Sequence, residues 1–569
     1  MNQIFRRDGV TLANGATGSE LQKRGLGGGA CPSLWVLEHP QAYEELVRAY
    51  LDAGAAFIAT PTFGANPVEL AHHGLEHRCE EINEACARLA RRAAGRAPVA
   101  AEIGPTGMLL QPLGELSFED AVAAYVRQVT GLLRGQPDFF LLETFSDPQE
   151  ARAAVLAILQ CCDLPFAVSF TFQNGRTMTG ATPEAAAVIF TALGAAAVGC
   201  NCSGGPASLA PIVRAMAAHT ALPIMAKPNA GLPQSVDGRA VYPMPPQDFA
   251  RETAALVQAG ATILGGCCGA TPEHIGALGA ALGGKPAPAT GGSGALLLAS
   301  ARQVAAIDVG APLCLVGERI NPSGKPVLTE SLLAGRTDEA VELAQSQLHA
   351  GVHALDVNVG AGGVDETAML CAIIRELALR ADAPLFLDTA NPDAMEAALR
   401  LNCGRAACNS IAAGPNTDRL LSLCRRYGAV PVLMPLDGWH LPDTAAGRWA
   451  LLDGLLHRAA DHGFGPADVL VDCGTPCLAM GANARGAVEF VAQLRKKGIR
   501  TVAGVSNVSY RLPARDNLNC AYLAQLTGAG LCAALINPTP AMMNMASAGD
   551  AVRGADEYAM GYIQRMRGK

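Results

Sequence analysis

The strongest constraint on the fold is a unit that repeats along the whole chain: a short apolar run, a polar or glycine-rich turn, and an amphipathic stretch. Between the apolar runs lie stretches such as QAYEELVRAYLDAG, in which apolar residues recur every three or four positions, as they do on one face of an α-helix. The first half contains eight apolar runs, which read VTLANG, AAFIAT, VAAEIG, FFLLETF, FAVSFTF, AAVGCNC, PIMAKPN and ATILGGCC. Strands and helices therefore alternate throughout this half.

The pattern stops at residues 283–295 and then starts again. These residues, GGKPAPATGGSGA, have the composition of an exposed linker. The runs of the second half are LCLVGERI, ALDVNVG, PLFLDTA, RAACNS, VPVLMP, VLVDC, TVAGVSN and LCAALINP, which again makes eight.

Near-continuous apolar strands that alternate with helices predict parallel sheets that are buried on both faces. Eight such units in about 270 residues is the size of a (β/α)8 barrel. We therefore predict an α/β protein with two tandem TIM-type barrels, at residues 1–290 and 311–569, joined by a linker at 291–310. A pair of open, doubly wound sheets is the alternative, but no G-x-G-x-x-G follows an early strand.

Composition limits the partners and the compartment. The chain has 569 residues, 50% of them hydrophobic, and a formal net charge of −8. This composition argues against disorder, and the charge argues against a nucleic-acid or anionic-membrane partner. The start, MNQIFRRDGVTL, has no apolar signal-peptide core, and no run approaches the length of a membrane span. With 18 cysteines and no secretion signal, the chain is expected in the cytoplasm, with reduced thiols.

In a parallel barrel, catalytic side chains collect where the strands end. The strand ends of the first half carry Asn14, Glu102, Glu143, Cys202, Asn229, Cys267 and Cys268. Those of the second half carry Glu318, Arg319, Asp356, Asn358, Asp388, Asn409, Asp472, Asn507 and Asn537. Some of these residues could simply cap the following helix. Capping does not explain why thiols gather in one half and carboxylates with amides in the other.

The thiols of the first half predict a metal site. Cys202 ends the sixth strand and Cys267 with Cys268 ends the eighth, and glycines around the pair free the backbone to turn both side chains inward. Three thiolates bind zinc and leave one tetrahedral position open for a substrate thiol. Cys200 is the competing candidate, but it lies deeper in its strand and is interpreted as a core residue.

The same residues resemble the homocysteine S-methyltransferase family. The matching segments are NGATGSELQKRG, TPTFGAN, GPTG, LLETFSD, GCNCSGGP, KPNAGLP and GGCCGATPEHI, in the family's order and over roughly residues 8–282. The resemblance implies zinc on Cys202, Cys267 and Cys268. It also implies that the amino and carboxylate groups of homocysteine lie near Asn14, Gly15 and Glu143. The chain departs from the family at Asn14, where Asp is usual, and at Pro61, where Asn is common.

The second half resembles the pterin-binding domain of methyltetrahydrofolate-dependent methyltransferases. The matching segments are GERINPSGK, DVNVG, LDTA, CNSI and GVSNVSYRLPARDNLN, within about residues 311–565. The residues that the resemblance places at the pterin are Glu318, Asn321, Asp356, Asn358, Asp388, Asn409, Asp472 and Asn507. Among them, Asn507 would face the N5 nitrogen that carries the methyl group, as the catalytic residue. The segment VDCGTPC, which contains Asp472, departs most from the family pattern.

Together the halves resemble the homocysteine and folate modules of the cobalamin-dependent methionine synthase family. This resemblance implies methyl transfer from 5-methyltetrahydrofolate through a protein-bound corrinoid to zinc-activated homocysteine, giving methionine and tetrahydrofolate. The D-x-H-x-x-G signature of a corrinoid domain is absent from this sequence, so the corrinoid is expected on a separate protein or on further domains of a longer enzyme. Two alternatives remain: a zinc-dependent thiol methyltransferase that uses another methyl donor, and a non-catalytic folate-binding or corrinoid-docking subunit.

Overall fold

The computed structural model describes residues 4–5, 9–236, 239–284, 291–292, 294–438 and 440–568. The chain forms two compact units, Met1–Gly294 and Ala295–Lys569. Within the described residues, none of the helices is long and apolar enough to cross a membrane.

The first unit contains an eight-stranded parallel sheet and a separate two-stranded hairpin. In chain order the strands are β1 (Thr11–Leu12), β2 (Ile58–Ala59), β3 (Val99–Ile103), β4 (Phe139–Phe145), β5 (Phe166–Phe170), β6 (Ala197–Asn201), β7 (Ile224–Lys227), β8 (Gln234–Val236), β9 (Arg239–Val241) and β10 (Ala261–Leu264). The order in the large sheet is β1-β10-β7-β6-β5-β4-β3-β2, and β8 pairs with β9. At the seam between the two edge strands, the N–H of Ala56 donates to the carbonyl of Leu12 at 2.7 Å.

The helices of this unit follow the strands, as the periodicity of the sequence predicts. They are α1 (Gly18–Lys23), α2 (Pro32–Glu38), α3 (Pro40–Asp52), α4 (Pro67–Ala71), α5 (Cys79–Ala94), α6 (Phe118–Arg134), α7 (Pro148–Cys161), α8 (Pro183–Ala192), α9 (Pro206–Ala217), α10 (Pro246–Ala254) and α11 (Pro272–Leu282). Short 3-10 helices lie at Glu76–Arg78 and Ala255–Ala259.

The second unit contains a closed barrel of eight parallel strands, preceded by a hairpin. The hairpin consists of β11 (Leu296–Ala299) and β12 (Val304–Ile307). The barrel strands are β13 (Cys314–Ile320), β14 (Ala354–Val357), β15 (Leu385–Asp388), β16 (Ala407–Ala413), β17 (Val430–Asp437), β18 (Leu470–Asp472), β19 (Arg500–Gly504) and β20 (Ala533–Ile536). Each strand pairs with the next along the chain, and β20 pairs with β13.

The helices of the second unit again alternate with the strands. They are α12 (Pro326–Leu333), α13 (Asp338–Ala350), α14 (Glu366–Arg380), α15 (Pro392–Leu401), α16 (Thr417–Tyr427), α17 (Ala445–Asp461), α18 (Arg485–Lys496), α19 (Arg515–Ala529), α20 (Pro540–Val552) and α21 (Met560–Arg567). Short 3-10 helices lie at Leu478–Met480, Val505–Ser509 and Glu557–Ala559. The predicted fold class, two tandem TIM-type barrels, is confirmed, and the alternative of open doubly wound sheets is wrong.

The segment predicted as a linker, residues 291–310, contains the hairpin β11–β12. Leu296 and Leu298 of this hairpin are buried in one cluster with residues of the barrel strands, including Val316 and Phe386. The buried side chains of the hairpin cover apolar groups of the barrel interior that water would otherwise contact. Ordered structure therefore begins before residue 311, where the sequence analysis starts the second barrel.

A comparable cluster closes the interior of the first sheet. Ile4 is buried in a cluster that includes Phe57 and Phe139. Phe5 is partly buried and packs against this cluster. The rings of Phe5 and Phe139 meet edge to face, with centroids 5.2 Å apart. A segment before the first strand thus fills the interior, which leaves the other end of the strands for polar side chains.

We predict that Leu298 of the hairpin β11–β12 stabilises the second barrel. Leu298 is fully buried, so Leu298→Ala should remove about 2–5 kcal/mol of unfolding free energy through lost contacts and a cavity. Urea denaturation of the full chain measures this loss. Val552→Ala is the control, because that side chain is 90% exposed and its loss should cost almost nothing. Equal stability of the two variants would contradict the role of the hairpin.

Candidate functional sites

Three thiols converge at the strand ends of the first barrel. Cys202 directly follows β6, and Cys267 and Cys268 follow β10 after two glycines. The sulfurs of Cys202 and Cys268 lie 3.8 Å apart, and all three sulfurs lie within 4.8 Å of one another. Within the described part of the chain, this is the group of histidine, cysteine and acidic side chains arranged closely enough to hold a metal ion.

Close backbone packing turns the adjacent cysteines toward the same point. A Cβ on Gly265 would lie 2.7 Å from the carbonyl oxygen of Asn14, and one on Gly269 would clash with the side chain of Tyr242. Gly269 has a φ of +79°, which glycine adopts without strain. The N–H of Cys267 donates to the carbonyl of Pro228 at 2.8 Å. The pair is therefore held in a tight turn, where neighbouring side chains need not point to opposite faces.

The spacing of the thiols fits a tetrahedral metal ion. Sulfurs about 2.3 Å from a zinc ion are about 3.8 Å from one another in a tetrahedron, which matches the separation of Cys202 and Cys268. Hydrogen bonds from Cys202 and then Cys267 lower the pKa of the Cys268 thiol to about 3. In the same cluster, hydrogen bonds to Cys202 and then Cys268 raise the pKa of Cys267 well above its usual value, so a bound cation is what would keep all three thiols deprotonated.

Asn201 orients this cluster from the end of β6. Its side-chain oxygen accepts hydrogen bonds from the N–H of Thr144 at 3.0 Å and from the hydroxyl of Ser169 at 2.7 Å. Its amide nitrogen donates to the Thr144 hydroxyl at 2.7 Å and to the sulfur of Cys267 at 3.7 Å. The sequence analysis did not single out Asn201, since an asparagine between two cysteines has no pattern of its own.

Three other cysteines of the first barrel do not belong to the cluster. Cys200 is fully buried, and burial raises its pKa, as expected of a core thiol. Cys161 ends α7, and Cys162 is the next residue; both are half-buried.

A buried ion pair lies beside the thiols. The ammonium of Lys227 lies 2.7 and 2.9 Å from the two carboxylate oxygens of Glu143, and it donates to the side-chain oxygen of Asn14 at 3.4 Å. All three residues are buried. Burial acts to lower the pKa of Lys227, but Glu143 and then Glu102 outweigh it and raise that pKa above its usual value. The structure thus brings together Asn14 and Glu143, which the sequence predicted, and adds Lys227.

Glu102 completes the buried group as a neutral acid. Burial and then the charge of Glu143 raise the pKa of Glu102 to about 8, so it holds a proton at neutral pH. Gly15 follows Asn14, and a Cβ there would lie 2.8 Å from the hydroxyl of Tyr50. The sequence signal for Lys227 was a single lysine at the end of an otherwise apolar run. Its partner could not be read from the sequence, because Glu143 lies on a strand 84 residues away.

The second barrel pairs carboxylates with amides at its strand ends. Asn409 donates to Asp356 at 2.9 Å, and Asn358 donates to Asp388 at 3.0 Å. Burial, followed by the charge of Asp388, raises the pKa of Asp356 well above its usual value. Burial also raises the pKa of Asp388. The four predicted residues therefore form two hydrogen-bonded pairs that are electrostatically coupled.

Asp472 and Glu318 lie close enough to act on the same group. Both raise the pKa of Asp356, and burial raises the pKa of Asp472 itself to about 6. Asp472 also accepts the N–H of Gly474 at 2.7 Å. Arg448 of α17, which sequence reasoning missed, donates to the carbonyls of Cys473 and Gly474 and fixes this turn.

The remaining two predicted residues lie in loops at the same end of the strands. The side-chain oxygen of Asn321 accepts the N–H of Ser323 at 3.0 Å, so this asparagine shapes the loop after β13. Asn507 lies in the 3-10 helix after β19 and is exposed. A Cβ on Gly504 would lie 3.2 Å from the amide nitrogen of Asn507. The side-chain amide of Asn507 therefore lies close to the backbone of Gly504, where a larger residue would crowd it.

The arrangement in the second barrel suits a flat polar heterocycle. Carboxyl groups with raised pKa values donate as well as accept hydrogen bonds, and side-chain amides do both at any pH. A ring with alternating donors and acceptors on its edge can satisfy such a set in a buried site.

We predict that the stability of the first barrel depends on keeping both members of the buried Lys227–Glu143 ion pair, or neither. Lys227→Met leaves Glu143 buried without a counter-charge and should cost about 3–5 kcal/mol of unfolding free energy. Lys227→Met combined with Glu143→Met removes both charges and should recover most of that loss. Thermal denaturation of the full chain measures both variants. Arg485→Met, which breaks the exposed pair with Glu489, is the control and should cost less than about 1 kcal/mol. A double variant no more stable than the single one would contradict this account.

Comparisons with known proteins agree with the two sites. Residues 11–282 match the family model of homocysteine S-methyltransferases, and residues 317–537 match that of pterin binding enzymes. The methionine synthases of Mycobacterium tuberculosis (strain ATCC 25618 / H37Rv) and Mycobacterium leprae (strain TN) are each 28% identical to this chain. Each alignment covers 93% of this chain and 47% of the relative, so the chain spans about half the length of these curated relatives.

A solved structure is also similar to one half of the chain. The metallated form of the homocysteine methyltransferase MmuM from Escherichia coli is 26% identical, over 48% of this chain and 96% of that chain, with a TM-score of 0.40. The sequence matches, together with the sites described above, identify both domains. Residues 11–282 belong to the homocysteine S-methyltransferase family, and residues 317–537 are a pterin-binding domain.

Proposed function

We propose that this chain provides the homocysteine and folate sites of a methyl transfer from 5-methyltetrahydrofolate, through a protein-bound corrinoid, to homocysteine. The products are methionine and tetrahydrofolate. The observation that carries this proposal is that one chain contains two different built sites: three convergent thiols in one barrel, and coupled carboxylates with amides in the other.

In the first barrel, Cys202, Cys267 and Cys268 hold a zinc ion. Zinc supplies a positive charge that keeps the thiol of homocysteine deprotonated at neutral pH. These three sulfurs would hold the ion and leave it accessible to a substrate thiol, which is the pattern of a catalytic zinc site. Asn201 limits the rotation of Cys267 through its hydrogen bond, so the ligand set is preorganised.

The amino-acid end of homocysteine binds beside the thiols. Asn14 and Glu143 offer acceptors for its ammonium, and the backbone near Gly15 lies close enough to the strand ends to contact its carboxylate. Lys227 already pairs with Glu143, so the bound substrate shares this carboxylate with a protein ammonium. This arrangement supports recognition of a charged head group at a fixed distance from the sulfur.

In the second barrel, the polar edge of the pterin ring meets the carboxyl and amide groups. Asp356, Asp388 and Asp472 donate or accept hydrogen bonds on that edge, since their raised pKa values favour the protonated form more than in water. The amides of Asn358 and Asn409 hold these carboxyl groups in place. Glu318 and Asn321 complete the pterin site.

Asn507 is the catalytic residue of this barrel. A tertiary amine is a poor leaving group, and a hydrogen bond that stabilises protonated N5 helps only as charge changes in the transition state. Asn507 lies in the 3-10 helix that directly follows β19, in an exposed position, where its amide would meet the methyl-bearing nitrogen of a bound donor.

The methyl group crosses between the two sites on a corrinoid. The second barrel offers carboxylates and amides but no strong nucleophile, and the thiolate of the first barrel cannot displace a tertiary amine unaided. A corrinoid would supply the nucleophile that the second barrel lacks and a methyl donor that a thiolate can attack. It is carried by a separate protein or by further domains, in line with relatives twice as long as this chain. The cytoplasm, where 18 unpaired cysteines stay reduced, suits this chemistry.

We predict that Cys267 is required for zinc binding and that Cys200 is not. Cys267→Ala should lose most of the bound zinc and all homocysteine methylation, because two sulfurs do not hold the ion tightly. Binding of 5-methyltetrahydrofolate should stay unchanged. Elemental analysis of the purified full chain measures the zinc, and Cys200→Ala, a core thiol outside the cluster, is the matched control. Full zinc retention in Cys267→Ala would refute the site.

The proposed requirement for a corrinoid can be tested by measuring methionine formation with the purified chain. Given both substrates, it should make no methionine until reduced cobalamin or a corrinoid protein is added. Asn507→Ala should slow methylation of the corrinoid about 10²–10⁴-fold and leave its demethylation by homocysteine intact, and Cys268→Ala should do the reverse. Cobalt absorbance follows each half-reaction, with the exposed Asn517→Ala as the control. Turnover without a corrinoid would overturn the mechanism.

A further inference from the structure

Strand β4 contains one extra residue where it pairs with β5. Leu142 and Phe145 of β4 lie opposite Val168 and Phe170 of β5, which are only two positions apart. The register therefore shifts by one residue between Leu142 and Phe145, as it does at a β-bulge. Bulges are frequent next to active sites, where they redirect the side chains that follow them.

The bulge changes the face of the sheet on which Phe145 lies. Phe139 and Leu141 belong to the cluster inside the sheet. Because side chains alternate along a strand, a regular β4 would place Glu143 and Phe145 inside as well. The ring of Phe145 instead packs outward, with its centroid 6.3 Å from that of Tyr125 on α6. Glu143 is therefore the last side chain of β4 that points inward, and the ring of Phe145 is directed away from it.

Thr144 has the unusual backbone conformation that forms the bulge. Its φ is +66°, in the left-handed region that β-branched side chains rarely adopt. In the part of the chain that the structure describes, it is the one β-branched residue with a positive φ. Such a conformation persists only where the surrounding contacts stabilise it.

Asn201 of β6 supplies those contacts. Its side-chain oxygen accepts the N–H of Thr144 at 3.0 Å, and its amide nitrogen donates to the hydroxyl of the same threonine at 2.7 Å. The oxygen also accepts the hydroxyl of Ser169, which lies on β5 between these two strands, at 2.7 Å. Asn201 is fully buried, so these bonds form away from solvent. Since its amide also donates to the sulfur of Cys267 at 3.7 Å, one side chain holds both the bulge and a thiol of the cluster.

We propose that Thr144 is a positioning residue for the amino-acid end of homocysteine. Held by Asn201, it maintains the bulge that ends the inward-facing residues of β4 at Glu143 and turns Phe145 outward. This inference rests on the proposed function, because it assumes that the ammonium of homocysteine binds at Glu143. Without the bulge, the regular alternation of β4 would bring the ring of Phe145 to the inside, next to the acid that the substrate needs.

Binding of two thiols to the zinc-loaded full chain tests the proposal. Homocysteine is compared with 1-propanethiol, which has a thiol on a similar carbon chain but no ammonium or carboxylate, and calorimetry measures both dissociation constants. Thr144→Val lacks the hydroxyl and disfavours a positive φ, so it should weaken homocysteine about tenfold and 1-propanethiol less than about twofold. Equal weakening of both thiols, or of neither, would overturn the proposal. A parent chain that does not bind homocysteine would refute the proposed function instead.

Further variants separate the conformation of Thr144 from a general loss of stability. Thr144→Gly should bind homocysteine within about threefold of the parent chain, because glycine adopts a positive φ without strain. Thr144→Ser, which keeps the hydroxyl bonded to Asn201, should stay within about twofold. A loss of homocysteine affinity in Thr144→Gly as large as that in Thr144→Val would contradict the role of the bulge.

A matched control and a replacement variant complete the test. Thr253→Val removes a fully buried hydroxyl of α10, away from the strand ends, and should leave both affinities unchanged. If Thr144→Val does not fold, Thr144→Ala takes its place, since alanine also lacks the hydroxyl and is strained at a positive φ. Unchanged homocysteine affinity in Thr144→Ala would then overturn the proposal.

Discussion

Burial of the strands on both faces is the constraint on which both halves of this protein depend. Helices cover the outside of each sheet, and apolar side chains fill the inside, where clusters around Phe139 and Phe386 exclude water. Polar groups are costly in such an interior, so they collect at the strand ends. Every functional group described above lies there, since that is where loops supply hydrogen-bond partners and substrates have access.

The two barrels use this common location in opposite ways. In the first, the close contact between Gly265 and the Asn14 carbonyl forces a tight turn that brings three thiols together. In the second, no such turn is needed, because Asp356 and Asp388 lie on adjacent strands and are coupled through burial and charge. The same fold therefore carries three thiols at the strand ends of the first barrel. At the strand ends of the second barrel it carries carboxylates and amides that form hydrogen bonds.

Charge neutralisation distinguishes the two sites further. The first barrel neutralises its acids internally, with Lys227 paired to Glu143 and a proton on Glu102. In the second barrel, burial raises the pKa values of the acids, so they are protonated more readily than in water. A balanced pocket suits a zwitterion, whereas protonated carboxyl groups with amides suit the edge of a polar ring.

The sequence by itself determined the sixteen barrel strands and the cysteines that converge, because apolar periodicity and strand-end residues are local features. It did not determine the hairpin at Leu296–Ile307, which lies within the segment predicted as a linker and packs against the barrel strands. It also gave no partner for Lys227, and it could not pair Asn358 with Asp388. These contacts join residues that lie on different strands and far apart along the chain. Only the closing of the sheets decides which of them meet, because that step alone fixes which strand ends face each other.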